Sequence, residues 1–366
     1  MPPTHASALS APPVLRRRHA LALLGAAAFA LRAAPARAAA TVEKTVKLAP
    51  GLYELAVSTT TDLVHVASTG PRGADSARIL GLDLRTLEVR STIELGADTV
   101  FGLGVNDTTG TLFGTGTRSG RLVAIDLRSG QVKARIGEGE GAHLRHVVVD
   151  EARNRAFVSV FGYRDKPSAI WVVDTAANTL AHVITEGLEG GISGLAYDPA
   201  GDRLFAGALG PNEVVEVSLA RRAGVRRFAS GGEGLINVEY HAASGRLFCA
   251  NQKSGQLTVL DAASGTLVKA VETGAGALGI TLSPDGALAY VANRGAGTVS
   301  LVETGSLTVR ASLETGTHPN TVAVDPRSGL AYVSNKAKAG PRPAPGQAPV
   351  PPPEDPRGDT VSLIRA

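Results

Sequence analysis

The sequence predicts an all-β protein, a seven-bladed β-propeller of four-stranded blades, closed by the N-terminal strand completing the last blade. Three observations predict it. A strand-to-turn marker built on Asp recurs with a period near 43 residues. A short apolar strand can be written seven times in step with that marker. Between turns rich in Gly, Asp-Pro and Ser-Gly, the apolar residues run in clusters of four to six, without the 3.6-residue repeat that stacked helices require.

The marker appears as LDLRTLEV at Asp83, IDLRSGQV at Asp126, VDTAANTL at Asp174, VSLARRAGV at Ser218, LDAASGTL at Asp261, VETGSLTV at Glu303 and VSLIRA at Arg365. The first five intervals are 43, 48, 44, 43 and 42 residues, and the last is 62 because a Pro-rich insertion, residues 336–358, lies inside it. Four short strands with their turns occupy about 40–50 residues, the length of a propeller blade.

The first strand of each unit reads YELAV from Tyr53, FGLGV from Phe101, RHVVV from Arg145, SGLAY from Ser193, INVEY from Ile236, LGITL from Leu278 and NTVAV from Asn320. Its third and fifth positions are large and apolar in all seven, and its fourth is mostly small. Successive strand residues face opposite sides, so each blade has a bulky face and a small face, and neighbouring blades interlock around an axis. Glu239 breaks the pattern at a fourth position; a paired structural acid and a channel-facing acid are both consistent with it. The last unit has three strands, and TVEKTVKL from Thr41 to Leu48 reads as the orphan fourth, which removes an open sheet edge.

Residues 1–38 read as an export signal. Arg16-Arg17-Arg18 precedes an apolar run too short to span a membrane, and Ala36-Arg37-Ala38 offers a cleavage site. RRHALALLG resembles a twin-arginine signal, although Ala20 stands where Phe is usual, so the general secretory route stays open. The expected location is the periplasm. The whole chain carries 37 Lys and Arg against 33 Asp and Glu. The signal holds five of the arginines and no acid, which leaves 32 basic against 33 acidic residues. An anionic partner must then be held by a local patch. Cys249 is the single cysteine, so no internal disulfide forms, and its apolar strand marks it as a small buried residue.

The units AYVANRGAGTVSLVETGSLTV and AYVSN resemble YVTN-type propeller repeats, and the segments GLYELAV, AIWVVDT and THPNTVAV resemble the YncE-like periplasmic seven-bladed propellers. The resemblance runs over essentially all of the chain after the signal. It implies an exported propeller that uses no cofactor and binds single-stranded DNA. The Pro-rich insertion and the enlarged loop at Phe161–Pro167 depart from the family pattern.

In a propeller, the loops entering the innermost strands and those between second and third strands share one face. Tyr53, Glu54, Phe101, His143, Arg145, Ile236, Asn237, His318 and Asn320 are therefore expected around one mouth of the channel, with the Phe161 loop and the insertion outside them. His318-Pro319-Asn320 has no equivalent in the other units. Phe161, Tyr163, Arg164 and Lys166 combine stacking faces with positive charge, the pairing that single-stranded nucleic acid needs, and form the candidate nucleic-acid patch; a solvated loop capping its blade is the plain alternative. The insertion is expected to be extended, with polyproline II character.

Signals for catalysis are weak. Neither H-E-x-x-H, C-x-x-C nor C-x-x-C-H occurs, and His143 and His146 lie three apart at a loop-to-strand junction, a poor metal pair. The sequence thus favours a non-enzymatic, monomeric binding protein without cofactor, metal or membrane span. Its expected partner is single-stranded DNA or another polymer. The alternatives are a periplasmic protein-interaction scaffold that uses the Pro-rich arm, and a lactonase-type hydrolase built on Glu54, His318 and Arg145.

Overall fold

The computed structural model describes residues 39–71, 74–138, 141–162, 166–340 and 353–366. The expected signal (1–38), Tyr163, Arg164 and most of the Pro-rich insertion lie outside them. Among the described residues, no helix is long and apolar enough to cross a membrane.

Seven antiparallel four-stranded sheets form the ring. The innermost strands are Leu52–Ser58, Gly102–Asn106, Leu144–Asp150, Ile192–Asp198, Leu235–His241, Ala277–Leu282 and Pro319–Val324. Each packs against the next in sequence, and the seventh meets the first. Blade seven takes its outer strand from the other end of the chain. Thr41–Lys47 pairs antiparallel with Thr360–Arg365, from Thr41 opposite Arg365 to Lys47 opposite Thr360, with a one-residue bulge between Val42 and Lys44. The Arg365 guanidinium binds the Glu43 carboxylate at this seam, and the Thr45 and Ser362 hydroxyls meet at 2.9 Å.

The turns explain why the Asp marker repeats. The Asp83 carboxylate accepts the N–H groups of Arg85 and Thr86 at 2.9 and 2.8 Å. Asp126 does the same for Arg128 and Ser129, and Asp174 for Ala176 and Ala177. A side chain that holds the backbone two and three residues on fixes a tight turn. The chain then needs one left-handed residue before the outermost strand, supplied by Leu87 (φ 56°), Gly130 (φ 71°) and Asn178 (φ 55°).

The core is a set of apolar layers, one between each pair of adjacent blades. The third-position residues Leu55, Leu103, Val147, Leu195, Val238, Ile280 and Val322 are all buried. Each joins the layer shared with the preceding blade, where the fifth-position residue packs beside it. Small fourth-position residues such as Ala56 and Ala196 turn toward the following blade. Bulky faces therefore press on small ones, as the sequence alternation predicts. Cys249 is fully buried within such a layer, and burial pushes its thiol up to about 12.

Candidate functional site

The entrance to an innermost strand fixes where its first two side chains point. In six of the seven blades the pairing with the second strand is interrupted there by a one-residue irregularity, as between Leu52 and Leu55 or Leu235 and Asn237. Such bulges re-aim side chains at functional rims. The first positions (Tyr53, Phe101, Arg145, Ser193, Ile236, Leu278 and Asn320) all line a cavity of about 560 Å³ at one mouth of the channel.

The second positions read Glu54, Gly102, His146, Gly194, Asn237, Gly279 and Thr321, and they stitch the ring together. Asn237 Nδ2 donates to the Leu278 carbonyl at 2.9 Å, Thr321 Oγ1 to that of Tyr53 at 3.3 Å, and the Glu54 N–H to that of Phe101 at 3.1 Å. His146 Nδ1 accepts the Leu195 N–H at 3.2 Å, which places the ring proton on Nε2. The glycines serve by having no side chain. A Cβ on Gly279 would stand 2.5 Å from the Asn320 carbonyl oxygen.

Four basic side chains converge on the cavity: Arg118, Arg145, Arg294 and Lys336. The Arg145 guanidinium lies 5.1 Å from the Phe161 ring centre and that of Arg118 lies 5.6 Å from Phe101. Lys336 Nζ sits 2.9 Å from the centre of the Tyr53 ring, which meets Phe101 edge-on at 4.6 Å. Arg294 is held by Asn320, its Nη1 donating to Oδ1 at 2.9 Å. No ion pair engages any of the four among the described residues. Glu54 is the one carboxyl among the lining residues, and burial lifts it to about 8, so it is largely protonated at neutral pH. A chain with near-balanced charge thus concentrates unpaired positive charge at one mouth.

A smaller chamber lies further along the axis, lined by Glu54, His146, Asn237, Glu239, Thr281 and Thr321. Burial raises Glu239 to about 8, with the neighbouring Glu54 adding to the rise, and burial lowers His146 to about 4. Glu239 is therefore a channel-axis acid, not a member of an ion pair. Among the described residues, no group of three or more His, Cys, Asp or Glu is placed to hold a metal ion.

Of the residues singled out from the sequence, Tyr53, Glu54, Phe101, His143, Arg145, Ile236, Asn237 and Asn320 line the mouth. His318 does not. Its backbone is left-handed (φ 45°), and its carbonyl accepts the Lys336 N–H at 3.1 Å at the base of the insertion. The proposed nucleic-acid patch divides. Phe161 lines the mouth, whereas Lys166 is exposed and borders a separate recess with Glu138 and Trp171. The sequence reading missed Arg118, Gln252, Arg294 and Lys336. Three of them follow directly on the asparagine that ends a second strand, in Asn251-Gln252, Asn293-Arg294 and Asn335-Lys336. That asparagine is structural. Asn335 Nδ2 donates to Thr360 Oγ1 and Ser362 Oγ, both at 3.0 Å, and Asn293 Nδ2 to Ser300 Oγ at 2.9 Å.

No family model matches the chain. Among curated proteins, Uncharacterized protein YncE of Escherichia coli (strain K12) is 30% identical over 235 residues, 60% of this chain and 65% of the relative. The chain is a seven-bladed propeller similar to this YncE protein. A second relative of the same name, from Salmonella typhi, is 29% identical over 230 residues, covering 60% of this chain and 64% of its own. The match thus spans just under two thirds of the curated relatives' length. What the YncE-like ring presents to a ligand is a concave cationic mouth, with guanidinium planes laid over aromatic rings.

Proposed function

We propose that this YncE-like propeller is an exported binding protein that takes up single-stranded nucleic acid at the channel mouth, with phosphates on Arg118, Arg145 and Arg294. The observation that carries the reading is the convergence of three guanidiniums outside any ion pair, Arg118, Arg145 and Arg294, with Tyr53, Phe101 and Phe161 on one cavity. Single strands are held by positive charge beside stacking surfaces. Here the rings already carry cations on their faces, so an unstacked base lies on the exposed guanidinium planes, which recognise bases as aromatic rings do.

The concavity favours a second reading, a compact anionic molecule held within the mouth, because about 560 Å³ is the size of a small-molecule site. Fluorescence anisotropy with a 5′-labelled oligonucleotide, across a salt series, tests both. Each arginine replaced by alanine should lower the slope of log affinity against log salt by about 0.7, the loss of one phosphate contact to a single strand. A slope that is unchanged in the Arg118→Ala, Arg145→Ala, Arg294→Ala triple variant would sink the nucleic-acid reading. A mononucleotide that competes as well as the oligonucleotide would favour the second.

A further inference from the structure

Lys336 is the cation of the mouth whose surroundings least suit a charge. Its amine lies within the cavity, against the face of Tyr53, with Arg294 and Arg118 close enough to repel its ammonium form. Asp359 opposes them, but one of its oxygens already accepts the N–H groups of Gly51, Leu52 and Ala337 at 3.0, 3.3 and 3.4 Å. Glu54, the carboxyl that lines the same cavity, is lifted by burial to about 8 and is largely protonated at neutral pH. Burial and the two guanidiniums bring the amine down from 10.5 to about 6. The Tyr53 ring works the other way, because a cation over an aromatic face is stabilised. That contact offsets part of the fall. An unprotonated lysine amine in a partly dry cavity beside other cations is a nucleophile toward carbonyl carbon.

We propose that Lys336 captures an anionic carbonyl compound, an aldehyde or 2-oxo acid bearing phosphate or carboxylate, as a reversible imine at the channel mouth, with Arg294 and Arg118 holding the anionic group. The amine lone pair attacks the carbonyl carbon, and the carbon–oxygen π pair moves to oxygen. Nitrogen then gives up its two protons, oxygen departs as water and a carbon–nitrogen double bond remains. No oxidant or reductant takes part, and added water reverses the step. The inference rests on the anion-binding reading of the mouth and adds covalent selectivity to it. A nucleic acid lacks the reactive carbonyl, so covalent capture belongs to a small ligand.

The test is borohydride trapping of the full chain with pyridoxal 5′-phosphate, followed by peptide mass spectrometry. Lys336 should carry the reduced adduct in preference to exposed lysines such as Lys44 and Lys253. Pyridoxal without the phosphate should label Lys336 about tenfold less, the cost of one lost charge-assisted contact. The trapping rate should reach half its maximum well below the ordinary lysine value of about 10, in the direction that burial and the two guanidiniums shift the amine. Lys336→Arg removes the nucleophilic amine while keeping a long basic side chain, and should abolish that adduct. Labelling spread over the exposed lysines with Lys336 unmodified, or a half-maximum near the ordinary value, overturns the proposal. The same variant separates the two readings. Salt-dependent oligonucleotide binding that survives in Lys336→Arg, in a protein whose Lys336 forms no adduct, defeats the imine alone. Loss of anion binding in the arginine variants defeats the mouth as a whole.

Discussion

Replacing Glu239 by glutamine should stabilise this protein, and only above the pH at which a free glutamate ionises. In the unfolded chain Glu239 titrates near 4.5; in the axis chamber burial, helped by Glu54, holds it near 8. Between these values the unfolded state has released a proton that the folded state keeps, so stability falls as pH rises. The contribution is fully present below 4.5 and is lost by 8. Each pH unit in the window costs about 1.4 kcal/mol, so the burden at pH 7 is about 3 kcal/mol, an upper bound because the chamber has room for water. Glutamine has nearly the same shape and does not titrate. The variant should match the parent at pH 4.5 and melt roughly 5 °C higher at pH 7 to 8, given the shallow dependence of Tm on free energy for a domain this long. Calorimetry or circular dichroism across pH 4.5 to 8.5 reads it directly. A difference that is constant with pH, or a parent that is more stable at pH 8, would refute the account of a carboxyl kept protonated by burial.

Two further outcomes follow from the ring. Gly279→Ala should destabilise by about 2 kcal/mol or more, since backbone must move to admit the new carbon; Gly305→Ala, with open space around it, is the neutral control in urea denaturation. Deleting residues 41–49 strips the outer strand from blade seven and bares the edge of Thr360–Arg365, which should lower the melting temperature markedly; an unchanged melt would mean that the seam contributes nothing.

The blades were legible because their causes are local and repeated. Asp83, Asp126 and Asp174 each fold their own turn from side chain to nearby backbone, so the chemistry is written within a few residues. The bulky and small faces of the innermost strands could likewise be read position by position. The mouth was legible in part. Tyr53, Phe101, Arg145 and Asn320 stand at strand entrances, where any propeller exposes its first residue to the channel. Arg118, Arg294 and Lys336 stand in turns that look like ordinary repeat punctuation. Their meaning appears only when one position from each of several blades is brought onto a single circle. Glu239 could be marked as anomalous but not assigned, because its environment is made by Glu54 from a different blade. His318 went the other way. Its uniqueness in the sequence reflects the insertion it adjoins.

The closing seam also has a mechanical character. Thr41 stands opposite Arg365, so the two ends of the ladder leave the ring side by side. Tension applied between them does not slide the strands past each other with every bond resisting together. It peels them apart one pair at a time, starting at Thr41 and Arg365. A closure that guards the ring against heat is thus a zip fastener under traction, and blade seven is where a pulled molecule opens first.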